Sequence, residues 1–156
     1  MENKAEPSER ARNMVYYAFL AAPFVYLVLI FVIYTSKTFD PYVWGDSMPE
    51  FTYMMVALSF ITIAVARPVK NRIWEARKKS IHTVRDFNSA YFSSNCIGIA
   101  FLESPSIYGL LIFFLTGGLV FPLFMIGLSI AALLVSFPRR SEKEEKIKYS
   151  GLKAGV

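Results

Sequence analysis

The stretch FNSAYFSSNCIGIAFLESPSIYGLLIFFLTGGLVFPLFMIGLSIAALLVSFP, residues 87–138, holds 52 residues and a single charge, Glu103. Its strongest turn signal, Thr116-Gly117-Gly118, lies well past the middle. If Glu103 stood in water, residues 104–115 would have to cross a bilayer alone. Twelve helical residues rise only about 18 Å against a hydrocarbon core of about 30 Å. The stretch therefore predicts two membrane spans, about 91–115 and 119–137, with Glu103 inside the first and Pro138-Arg139-Arg140 closing the second.

Working outward, two further blocks lack Asp, Glu, Lys and Arg: 13–36, of 24 residues, and 51–66, of 16. They read as spans of about 14–34 and 50–66. Pro23 is a tolerated interruption of the first, and the stem of Arg67 helps extend the second into the interface. A cleaved signal peptide competes for the first block, but Glu2, Glu6 and Glu9 precede it and no clear cleavage site follows. The fold expected is all-α, one membrane domain with four transmembrane helices. Of its 156 residues 54% are hydrophobic, and apart from Glu103 charge is confined to the gaps between apolar blocks. That excludes a soluble enzyme, a disordered chain, a disulfide scaffold and a nucleic-acid-binding domain.

Loop charge sets the orientation. Lys and Arg number three in residues 1–12, seven in 67–86 and six in 139–156, but only Lys37 lies in 37–50. The positive-inside rule then places both termini and the 67–90 connection in the cytoplasm, as expected of a multi-pass protein of a cytoplasmic-type cell membrane. The net charge of +5 is mostly this topology. Val69, Ile73, Ala76, Ile81, Val84 and Phe87 recur among basic residues, mostly at three- and four-residue spacing, which predicts a basic amphipathic helix in 69–90. It either lies on the inner leaflet or extends the second and third spans. The polar tail 139–156 reads as weakly ordered.

The chemistry is narrow. The sole histidine, His82, is in the basic connection, and the sole cysteine is Cys96. No axial haem ligand, metal cluster, phosphate loop, Ser/His/Asp set or redox cysteine pair is expected, and so no cofactor. Trp74, Tyr91 and Phe92 inside, with Tyr42 and Trp44 outside, read as interfacial belt residues. Gly117, Gly118, Gly127, Ser129, Ala131 and Ala132 offer small-residue surfaces for close helix packing.

Glu103 is the positive finding. A carboxylate in hydrocarbon is costly unless protonated, paired or hydrated, and such groups are enriched on ion and proton pathways. Ile99, Ala100 and Ser106 are its helical neighbours. Ala100 and Ser106 are small enough for another helix to approach, and Ser106 adds a hydroxyl. Pro105 lacks the N–H that would bond the Phe101 carbonyl, leaving an acceptor nearby. A proton or small-cation site and a neutral carboxyl merely hydrogen-bonded in a helix interface are both open readings of these residues.

The run Gly98-Ile-Ala-Phe-Leu-Glu103-Ser-Pro-Ser-Ile-Tyr108-Gly-Leu-Leu-Ile112 resembles the carboxylate-bearing helix of the rotor-ring proteolipid, subunit c, of F-type and V-type ATPases. Ala66-Arg67-Pro68 is similar to the polar-loop Arg-x-Pro region of the same family. The resemblance implies that Glu103 binds the ion, that Tyr108 is its hydrogen-bonding companion, and that Ser104 and the Phe101 carbonyl are further ligands. The chain has no glutamine to complete a sodium site, so a proton is expected rather than sodium. Residues 51–66 contain no glycine, which favours a subunit among other membrane subunits over a free-standing close-packed homo-oligomeric ring. The expected function is a non-catalytic, proteolipid-like subunit with the bilayer and other membrane subunits as partners. An accessory subunit with no ion-translocating role is the alternative. A membrane enzyme acting on a lipid or a glutathione adduct ranks third, because no second charge lies in the spans.

The charge bias makes a direct prediction. With Cys96 replaced, single cysteines at 40–46 are reached by impermeant thiol reagents from outside, and those at 75–80 only after the membrane is opened. Labelling of both loops from one side contradicts the arrangement.

Overall fold

The computed structural model describes residues 7–36, 48–136 and 147. Four helices make up the described chain: α1 (Pro7–Ser36), α2 (Met48–Lys78), α3 (Val84–Thr116) and α4 (Val120–Val135). Three of them, over Asn13–Ser36, Pro49–Lys78 and Val84–Thr116, are long and apolar enough to cross a membrane, and α4 is a shorter apolar helix. The protein is all-α and multi-pass in character. Tyr42 and Trp44 and most of the tail 139–156 lie outside the described residues.

Both α2 and α3 outrun the lengths read from their charge-free blocks. At 1.5 Å per residue the 31 residues of α2 and 33 of α3 reach about 46 and 50 Å, well beyond an apolar core of about 30 Å. α2 passes through Pro68 without a break and runs on to Lys78. The basic amphipathic stretch is thus divided between the ends of two helices, which turn at residues 79–83. Thr83 starts α3 with a capping box: its hydroxyl accepts the Asp86 amide at 3.1 Å, and the Asp86 carboxylate accepts the Thr83 amide at 3.0 Å. The Asp86 carboxyl also accepts the Thr83 hydroxyl, and these bonds hold it below the ordinary carboxylate range.

The hairpin tip has its own core. Trp74 meets Phe87 edge-on with ring centroids 5.4 Å apart, and Phe87 stacks on Tyr91 at 6.0 Å. Trp74 is 5% exposed and Tyr91 2%. These two residues are therefore the interior of the α2–α3 hairpin rather than a membrane-interface belt. Aromatic pairs of this geometry add about 0.5–1.5 kcal/mol beyond area burial, which fits a hairpin that must stay paired past the bundle.

α3 is the shared centre, with its most extensive contacts to α2 and α4 and a further face against α1. It ends at Gly117, left-handed at φ 66°, whose amide donates to the Phe113 carbonyl at 2.8 Å. The return of α4 is close. A Cβ on Gly109 would sit 3.0 Å from both Met125 Cβ and the Pro122 carbonyl oxygen. The glycine that permits helix contact is thus on α3. Gly127 and Ala131 of α4 are exposed, and a Cβ on Gly127 meets nothing within 4 Å. Of the small-residue surface read on α4, Ser129 is buried and Ala132 packs partly buried against the Tyr16–Leu133 cluster.

Gly109→Ala is expected to destabilise the protein by about 1–3 kcal/mol, because the α4 backbone must shift. Gly127→Ala is expected to be neutral or stabilising by up to about 1 kcal/mol, since alanine favours a helix. Thermal unfolding in detergent followed by circular dichroism separates the two, and equal midpoints contradict the α3–α4 packing.

Candidate functional site

Glu103 lies in the body of α3 and is 6% exposed. The layers around it follow the antiparallel order of the helices. On one side Tyr16, Ala66, Ile99, Leu102 and Leu133 pack as an apolar cluster, and on the other Ile30, Phe113 and Ile126 form a second. Between them, α1 contributes Tyr26, α3 contributes Glu103 and Ser106, and α4 contributes Ser129. A polar layer thus crosses the bundle where apolar clusters close it above and below.

The bonds in this layer are specific. Ser106, with no exposed surface, has its Oγ 2.7 Å from the Glu103 carbonyl oxygen and 3.3 Å from carboxyl Oε1. A serine has one proton to donate and two lone pairs to accept with. The Ser106 hydroxyl is placed to donate to the Glu103 carbonyl oxygen and, at longer range, to the carboxyl Oε1. From α1, the half-buried Tyr26 hydroxyl comes within interaction range of the same carboxyl. Among the described residues no Lys or Arg is paired with Glu103, so its surroundings are hydroxyls and hydrocarbon. Ser129 Oγ donates to the Leu102 carbonyl at 2.9 Å, fastening α4 to α3 one residue from Glu103. Tyr16 does the same one layer away, donating to the Leu133 carbonyl at 2.6 Å.

The other sequence-derived positions are placed less centrally. Ser104 Oγ donates back to the Ala100 carbonyl at 2.9 Å within its own helix. Tyr108 is half-buried, and five residues from Glu103 at 100° per residue set it about 140° around the helix. Phe101 is also half-buried, and Pro105 beside it is buried. Ser59 and Thr62 of α2 are buried but donate within α2, to Met55 and Ser59 carbonyls, both at 2.9 Å. The residues drawn to the carboxyl are thus Ser106 and Tyr26. Ser106 was visible at i+3. Tyr26 was not singled out, and its only sequence trace is a phenol in the middle of an apolar span.

Among the described residues no group of three His, Cys, Asp or Glu side chains could hold a metal ion. A cleft of about 470 Å³ opens at the α3–α4 turn, lined mostly by apolar residues such as Pro49, Tyr53, Leu119 and Phe121, and none of the Glu103 layer lines it. Set against known protein families, curated protein sequences and solved structures, the chain matches none. Its function is argued from its own residues.

Ser129→Ala removes the side-chain bond that Ser129 of α4 makes to the helix carrying Glu103. A stability loss of about 0.6–1.5 kcal/mol is expected in detergent unfolding. An unchanged midpoint contradicts a structural role for that bond.

Proposed function

We propose that the protein is a small, non-catalytic integral membrane subunit with four spans, resembling an ATPase proteolipid, in which Glu103 binds a proton at a helix interface. Both termini lie on the cytoplasmic side of a cell membrane and other membrane subunits are its partners. The supporting observation is the carboxyl's surroundings: Glu103 is buried, and the polar groups near it are hydroxyls, Ser106 one turn on and Tyr26 from α1. Such a pocket suits a carboxylic acid better than a carboxylate, since an unpaired ion in low dielectric loses several kcal/mol of hydration. Oxygen ligands for sodium are few, which favours the proton.

The fourth span rests on α4. Its 16 residues rise about 24 Å, nearly a core thickness, and Val120, Leu123, Phe124, Leu134 and Val135 turn outward, where lipid would satisfy them.

A second reading has an observation of its own. Glu103 faces the interior of its own bundle, closed by apolar clusters on either side. A carboxyl so enclosed can serve as a hydrogen-bonded pin in an accessory subunit, with no proton released.

The two readings part on one substitution. In the parent complex, Glu103→Gln abolishes proton-coupled transport without loss of assembly if the proton is exchanged, because an amide cannot release one. It leaves activity intact if Glu103 only pins helices. Slow labelling of Glu103 by dicyclohexylcarbodiimide, which requires the protonated acid, is expected in the first case, and protection by added sodium at constant pH points to sodium instead. Normal transport by the Gln variant overturns the first reading.

A further inference from the structure

The α2–α3 hairpin presents a surface that the Glu103 reading does not use. Over residues 67–86 it carries seven Lys and Arg against Glu75 and Asp86. Arg67, Arg72, Arg77, Lys79 and Arg85 are exposed. Under this rim lies the Trp74, Phe87, Ala90 and Tyr91 cluster, and two partly buried apolar side chains close it. One is Ile81, from the turn itself. The other is Ile147, from the carboxy-terminal tail.

Three features of the tail sequence bear on that contact. Ile147 is the only Ile, Val, Leu, Met, Phe or Trp between Pro138 and Gly151. The tail is net basic, with Glu142, Glu144 and Glu145 set against Arg139, Arg140, Lys143, Lys146, Lys148 and Lys153, so its hold on a basic rim has to be apolar. The reach is also right. Leu133 of α4 packs with Ile99 of α3, whereas Ile147 packs with Phe87, twelve residues (99 to 87) further along α3, or about 18 Å. The fourteen residues from Leu133 to Ile147 cover about 21 Å if helical and up to about 46 Å if extended, so the tail reaches the cluster without strain.

We propose that the hairpin tip is the docking surface of this chain's own tail, with Ile147 as the apolar anchor on the Trp74–Phe87–Tyr91 cluster. The anchor covers one edge of an aromatic core that stands beyond the bundle. The competing occupant, an anionic lipid surface, is decided against by the tail residue already seated on the cluster and is one outcome of the test.

The test uses the full chain in zwitterionic nanodiscs. With Trp44→Phe, Trp74 is the sole tryptophan. Ile147→Asp is expected to red-shift its emission and at least double its acrylamide quenching, while Lys153→Asp changes neither. Quenching that is unchanged in Ile147→Asp overturns the proposal. An independent arm in a Cys96→Ala background pairs Ile81→Cys with Ile147→Cys. A disulfide that forms readily, and far more slowly when Ile147→Cys is replaced by Lys153→Cys, supports it. Absence of the cross-link, or loss of it on adding phosphatidylserine to the disc, assigns the surface to lipid and overturns it. None of these readouts depends on Glu103, so their failure leaves the proton-site reading untouched.

Discussion

A carboxyl group surrounded by hydrocarbon has to be neutral, paired or supplied with hydrogen bonds, and the buried Glu103 draws on its own helix and on α1 to meet that demand. Ser106 comes from the same helix, one turn on, and Tyr26 comes from α1. Ser129 fixes α4 against the adjacent Leu102 carbonyl. In lipid the apolar faces gain little from meeting each other, so association relies on close packing and on such polar contacts. The close packing is supplied at Gly109, where α4 approaches to within 3.0 Å of a would-be Cβ. α3 is central for this reason: it carries both the group that needs cover and the notch that lets α4 approach.

The same arrangement divides the molecule along its length. Around Glu103 the described helices form a bundle with apolar clusters on both sides of a thin polar layer. Beyond it, α2 and α3 continue as a two-helix arm with an aromatic core and a basic surface. Buried polar side chains in the arm and in α2, including Ser59, Thr62, Ser94 and Asn95, donate to carbonyls of their own helices. They are satisfied within their own helices, and the side-chain bonds between helices include those from Tyr16 and Ser129 in the bundle and from Arg77 of α2 to Ser93 of α3 at 2.8 Å in the arm.

Much of this was legible from residues alone, for physical reasons. Charge-free blocks report helices that cannot be hydrated, which makes the all-α, multi-pass character readable. Thr116-Gly117-Gly118 marks the end of α3 because a left-handed residue is needed there and glycine adopts it freely. Helix ends in the hairpin were not legible, since a basic amphipathic stretch has the same periodicity whether it lies on a leaflet or extends a span. Trp74 and Tyr91 were read as belt residues because composition cannot distinguish a lipid interface from the interior of a hairpin. In the site, local helix geometry exposed Ser106, whereas Tyr26 depends on how α1 crosses α3, a long-range contact with no local signature.

The central claim is that the Glu103 carboxyl carries a proton and is held by the Tyr26 and Ser106 hydroxyls inside the chain's own bundle. Infrared spectroscopy of the protein in lipid tests it most directly. A carbonyl band of a buried, hydrogen-bonded carboxylic acid is predicted at neutral pH, absent in Glu103→Gln and shifted to higher frequency in Tyr26→Phe as one hydrogen bond is lost. No such band, or one that Tyr26→Phe leaves in place, would contradict the account.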